Sequence, residues 1–116
     1  MPRQAKKQRS LAMYEAIVKI ESVEECCRFF DDLCAVTELR AMEQRFDVAK
    51  LLCQDKVYTE IMETTNASSA TISRVNRMLN YGTGCLEASI EAQLKEEAAA
   101  DDPQPQEDAA ESKDAE

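Results

Sequence analysis

Ser69, Ala70, Ser73, Arg74 and Arg77 fall within nine residues of one another. If residues 68–79 are helical, these five share one side, opposite an apolar stripe of Ile72, Val75 and Leu79 at three- and four-residue spacing. Short side chains near a helix start let its backbone approach DNA in the major groove. Arginines further along reach guanine edges or phosphates. The candidate contact set is Ser68, Ser69, Ala70, Thr71, Ser73, Arg74 and Arg77, and it contains no acid. An ordinary helical hairpin with a Ser/Thr-rich turn has the same periodicity.

Other chemistry has little to stand on. The chain has no histidine and no glycine-rich phosphate loop, and no nucleophile has a plausible partner. The pairs Glu24-Glu25 and Asp31-Asp32 read as solvated helix faces, not as acid–base dyads. Five cysteines, Cys26, Cys27, Cys34, Cys53 and Cys85, form no Cys-x-x-Cys pair, so zinc ligation is not expected. Most sit in helical patterns, where reduced cysteine behaves as a small apolar residue. A non-enzymatic protein of a reducing cytoplasm, without metal or cofactor, is the expectation. No 18-residue apolar run exists to cross a membrane.

The elements that must position the contact set are a short helix, a turn and a second helix over residues 58–79. Ile61 and Thr65 give the first helix its inner face. Asn66 is the expected turn, because asparagine tolerates the left-handed conformation. Ser68 or Ser69 can cap the second helix. Before this motif, Leu11, Tyr14, Ile17 and Val18 predict a helix over residues 11–20. Ser22 with Glu25 three residues on is a capping-box spacing, and Cys26, Phe29, Phe30, Leu33 and Cys34 form the inner face that follows. Thr37 is the expected cap of a third helix, with Leu39, Met42, Phe46, Ala49 and Cys53 down one side and an end near Asp55-Lys56. After the motif, Gly82 and Gly84 mark the exit, where a left-handed glycine is expected. Leu86, Ile90 and Leu94 predict a last helix. The fold class is all-α, six helices in about 90 residues.

Charge is unevenly distributed. Residues 96–116 hold nine of the 23 acids and one base, Lys113, so they carry −8 of the formal −9. The rest of the chain is nearly neutral, and residues 1–10 hold Arg3, Lys6, Lys7 and Arg9 without an acid. The low pI therefore does not argue against nucleic-acid binding by the body. The expected organisation is a basic arm at 1–9, a helical domain at 10–96 and a disordered acidic tail at 97–116. Apart from two prolines, the tail from Ala98 onward has no apolar residue larger than alanine to offset the entropy of ordering it.

The stretch Ala67-Ser-Ser-Ala-Thr-Ile-Ser-Arg-Val-Asn-Arg-Met-Leu-Asn-Tyr-Gly82 resembles the recognition helix and exit turn of the Trp-repressor-like YerC/YecD family. Residues 26–39 and 44–52 are similar to that family's preceding helices, so the resemblance covers about residues 10–92. It implies a Trp-repressor-like fold, an intertwined homodimer, and a DNA-binding regulator, expected to be a repressor. Two recognition helices would then bind half-sites roughly 34 Å apart. The resemblance also implies a comparison of ligand residues. The arginines that hold tryptophan in the Trp repressor match Arg74 and, with a one-residue gap, Arg45. The glycine that leaves room for the indole is replaced by Val75, whose helical phase points inward. Tryptophan is therefore not expected as corepressor, and Arg45 is expected to pair with Glu38, Glu43 or an acid of the partner chain. The competing function is a helical protein-interaction module that does not bind DNA, which the weak net charge of the body favours.

Overall fold

The periodicity resolves into six helices, with no strand among the described residues, 8–101 of the computed structural model. They are α1 (Ala12–Ile17), α2 (Val23–Leu33), α3 (Val36–Cys53), α4 (Tyr58–Thr65), α5 (Ser69–Tyr81) and α6 (Cys85–Asp101). The chain forms two compact units, divided between Ala41 and Met42.

In the first unit, α1 is shorter than the apolar run predicts. It stops at Ile17, and Lys19 and Ile20 close the end with bonds to the carbonyls of Ala16 and Ile17, three residues back. Leu11 precedes α1 without a side-chain cap, so nothing local extends the helix. Ser22 caps α2 as expected, its hydroxyl accepting the Glu25 N–H at 3.0 Å. The rings of Phe29 and Phe30 meet edge to face with centroids 5.4 Å apart. Thr37 does not cap α3. The helix begins two residues earlier than that cap implies, at Val36, and the Glu38 carboxylate reaches back to accept the Ala35 N–H at 2.8 Å. Glu38 thus supplies the N3 half of a capping box.

No residue from 8 to 41 is buried. Leu33, expected on an inner face, is 53% exposed, and Val18, Val23 and Val36 are more exposed still. A six-residue and an eleven-residue helix do not carry enough apolar surface to enclose one another.

The second unit holds the core. Val48 and Ala49 of α3, Ile61 of α4, Ala67 of the turn, Ile72 and Val75 of α5 and Ile90 of α6 are all buried in one cluster. Phe46, Leu79, Leu86 and Leu94 pack against it. Most of this follows the predicted stripes. Val48 and Ala67 do not, and Met42, expected inside, is 39% exposed. The core side of α3 therefore centres on the adjacent pair Val48 and Ala49, which a strict three-four stripe cannot both contain.

The end of α3 is a Schellman motif. Asp55 takes φ 62°, its N–H donates to the Leu52 carbonyl, and the Lys56 N–H donates to that of Leu51. The first turns of α6 lie near this end. Burial, then the carboxylates of Glu87, Glu91 and Asp55, push the half-buried Cys53 thiol up from its ordinary pKa, which keeps it a neutral, weakly reactive packing group. Further along, the Lys50 ammonium donates to Glu97 of α6 at 2.6 Å. Helix α6 continues to Asp101, past the point where the composition changes. The expected acidic tail beyond Asp101 and the basic arm through Lys7 lie outside the described residues.

Candidate nucleic-acid interface

The candidate contact set depends on how α4 hands the chain to α5. Asn66 closes α4 at φ 63°, ψ 15°, with its N–H donating to the Met62 carbonyl at 2.8 Å. Thr65 braces the turn from the side. Its hydroxyl donates to the Ile61 carbonyl at 2.8 Å and accepts the Ala67 N–H at 3.1 Å. From α3, the Gln44 amide donates to the Thr65 carbonyl at 3.1 Å, which satisfies a carbonyl that the helix end leaves open. Ala67 then enters the core at 3% exposure.

Of the two candidate caps, Ser68 is the one used. It is extended (φ −74°, ψ 161°), and its hydroxyl accepts the Thr71 N–H at 3.1 Å. The same hydroxyl donates to the Thr71 Oγ1 at 3.1 Å. The first turn of α5 is thus tied down on both sides of its cap.

Helix α5 buries Ile72 and Val75 and half-buries Leu79. Ser68, Ser69, Ala70, Ser73, Arg74 and Arg77 are exposed, and Thr71 is half-buried. From Thr64 to Leu86 the sequence contains no acid. The two salt bridges among the described residues are Lys50–Glu97 and Lys56–Glu60, so neither Arg74 nor Arg77 is held by an acid there. A guanidinium without a carboxylate keeps its full donor set for a ligand anion.

Tyr81, 83% exposed, was not among the candidates. It follows Arg74 by seven residues and Arg77 by four, so helical spacing alone brings it to the same face. Gln44 was also missed, because its role is a tertiary hydrogen bond 21 residues away in sequence.

The exit differs from expectation. Gly82 is extended, at φ −84° and ψ −163°. Its requirement is space: a Cβ there would lie 2.7 Å from the Met78 carbonyl oxygen. Gly84 takes the positive φ, 92°.

Arg45 is exposed, like Arg74, and has no salt-bridge partner among the described residues, so the expected pairing with Glu38 or Glu43 is absent. Gln44, one position earlier, donates from α3 to the Thr65 carbonyl of the motif. Val75 is 1% exposed and sits in the core cluster with Ile61 and Ile72. A separate open cleft, lined by Asp47, Lys50, Gln54, Thr64, Thr65 and Glu97 among others, lies between α3, the end of α4 and α6.

Two helices joined by a left-handed asparagine, with an acid-free outer face on the second, define a helix-turn-helix of the kind built into small all-α regulators. The chain belongs to the Trp repressor protein family, whose sequence profile matches residues 8–94. Protein YerC of Bacillus subtilis strain 168, itself uncharacterized, is 43% identical over 79 residues, covering 68% of this chain and 76% of YerC. Two crystal structures are similar in fold. A Trp repressor candidate from Staphylococcus aureus matches with a TM-score of 0.71 and 39% identity, over 79% of this chain and 95% of that one. A TrpR-like protein from Eubacterium eligens matches with a TM-score of 0.71 and 40% identity, over 78% and 93%. No helix among the described residues is long and apolar enough to cross a membrane.

The cap geometry gives one direct expectation. Ser68→Ala removes the acceptor for the Thr71 N–H and lowers unfolding free energy by about 1 kcal/mol. Ser68→Asp, which also accepts that hydrogen bond, restores it. Urea denaturation monitored by helix content measures both, and an unchanged midpoint for Ser68→Ala would show that the cap contributes nothing.

Proposed function

We propose that the protein is a cytoplasmic, sequence-specific DNA-binding repressor that acts as a homodimer and needs no amino-acid corepressor. The observation that carries this reading is the outer face of α5, where Arg74 and Arg77 stand exposed, without a carboxylate partner among the described residues, in a run of 23 residues free of acid. Ser69, Ala70, Thr71 and Ser73, at the start of α5, read base edges directly or through water. Arg74 and Arg77 supply the stronger contacts to bases or phosphates, and the Tyr81 hydroxyl adds a phosphate contact further along. Hydrogen bonds from the backbone at the Ser68-capped N-terminus also suit a phosphate oxygen.

The homodimer rests on residues 8–41, none of which is buried although Leu11, Val18, Val23, Leu33 and Val36 are all more than half exposed. Covering such surface gains roughly 25 cal/mol per Å², and a second copy offers a matching apolar surface. Sedimentation is expected to give twice the 13.0 kDa chain mass. A stable single-chain species at micromolar concentration would reject the dimer.

Arg77→Ala is expected to weaken DNA binding without loss of helix content. A base contact costs about 1–3 kcal/mol and relaxes preference at one position, whereas a phosphate contact lowers all affinities and reduces the salt slope by about one. Binding of genomic fragments across a salt series distinguishes the two. Unchanged affinity at every salt concentration would remove Arg77 from the interface. An absence of salt-dependent DNA binding by the parent protein would favour the interaction-module reading.

Tryptophan is expected not to bind, because the branched Val75 side chain occupies core volume beside α5 where a flat ring would need space. Overpacking there costs about 1–3 kcal/mol. Calorimetric titration checks this. Saturable binding below about 100 μM, or about −5.5 kcal/mol, together with tighter DNA binding, would overturn it.

A further inference from the structure

The arginine face of α5 lies within reach of the acidic C-terminal residues of the same chain. Lys50 of α3 holds Glu97 of α6 at 2.6 Å, and Glu97 lines the cleft that also contains Thr64 and Thr65, the last two residues of α4. Near its C-terminal end α6 therefore passes the same cleft as the end of α4, which leads into α5. Asp101 follows Glu97 by four residues, about 6 Å of helix. Residues 102–116 begin there and hold six acids and one base. Fifteen residues span at most about 50 Å, and the thirteen residues of α5 are about 20 Å long, so the segment reaches all of α5 from its origin.

Resting on the DNA-binding reading of α5, we propose that residues 102–116 dock on the arginine face of α5 and compete there with DNA phosphate. Charge complementarity selects this face. Arg74 and Arg77 lie three residues apart in the acid-free run from Thr64 to Leu86, whereas the other cations of the second unit are either paired, as Lys50 is with Glu97 and Lys56 with Glu60, or set among acids, as Arg45 is between Glu43 and Asp47 and Lys95 beside Glu91 and Glu96. Tethering places the segment near α5 at an effective concentration in the millimolar range. A contact with a dissociation constant on the order of 0.1 mM, comparable to weak non-specific DNA binding, would then reduce non-specific affinity roughly tenfold. Salt screens the contact, since the Debye length falls from about 10 Å at 0.1 M to about 3 Å at 1 M. A specific operator, bound more tightly, displaces the segment. The device thus acts against non-specific sites first.

The test uses the full chain and a full-length variant carrying Asp102→Asn, Glu107→Gln, Asp108→Asn, Glu111→Gln, Asp114→Asn and Glu116→Gln. Without DNA, the side-chain Nε–Hε resonances of Arg74 and Arg77 are expected to move between the two proteins, while those of Arg28 and Arg40 stay fixed. With a random-sequence duplex at low salt, the variant is expected to bind roughly tenfold tighter, and the gap closes as salt is added. Fixed Arg74 and Arg77 resonances overturn the proposal, even if the variant binds DNA more tightly, because the gain is then a bulk charge effect. Shifted resonances with equal DNA affinity overturn the competition. If neither protein binds any duplex, the DNA-binding reading fails and the competition with it, while the resonances still report whether the segment docks.

Discussion

The fold of the second unit hinges on the three residues that join α4 to α5. Asn66 must be left-handed, Thr65 must hold both the carbonyl behind it and the N–H ahead of it, and Ala67 must be small enough to enter the core. Each condition is local and each limits the others. If the turn opened, Ile72 and Val75 would lose their register against Ile61 and Val48, and the exposed face of α5 would rotate with them. Gln44 adds the single side-chain hydrogen bond from α3 to this joint, so the angle of the motif is referred to the long helix beneath it. A half-buried joint braced by these hydrogen bonds favours one geometry, because a departure leaves the bonded backbone groups without their partners.

The electrostatic organisation follows a similar economy. The acids that the second unit does carry lie mostly on α3, α4 and α6, and two of them hold lysines there. Helix α5 is left with arginines alone. Local charge on the outer face of α5 is therefore set by which residues are absent from it. The total charge of the chain, dominated by its last twenty-one residues, says little about it.

The two units differ in kind. From Met42 onward, every helix contributes to one enclosed cluster. Before it, helices with good local signals, such as the Ser22 cap and the Glu38 back-bond, bury nothing. Local structure and a closed core are separate achievements: caps and propensity decide where a helix begins, while enclosure needs enough apolar surface facing other apolar surface.

The sequence by itself determined the number of helices, the turn at Asn66, the Ser22 cap and the inward phase of Ile72 and Val75. These follow from spacing and from residue types with strong local preferences, which operate over three or four residues and so can be read along the chain. It also determined which side chains on α5 face outward, since the buried stripe fixes the opposite side. Tertiary structure decided the rest. It placed Val48 and Ala67 inside and left Met42 outside, whereas the path of the backbone over three residues at each helix start chose Ser68 over Ser69 as cap and began α3 at Val36 through Glu38. It made Gly82 necessary through the approach of the Met78 carbonyl and gave the positive φ to Gly84. It brought Gln44 to Thr65 and Glu97 to Lys50. Each of these depends on a partner brought close by packing or by the precise path of the backbone, and periodicity along one helix carries no information about what lies across from it.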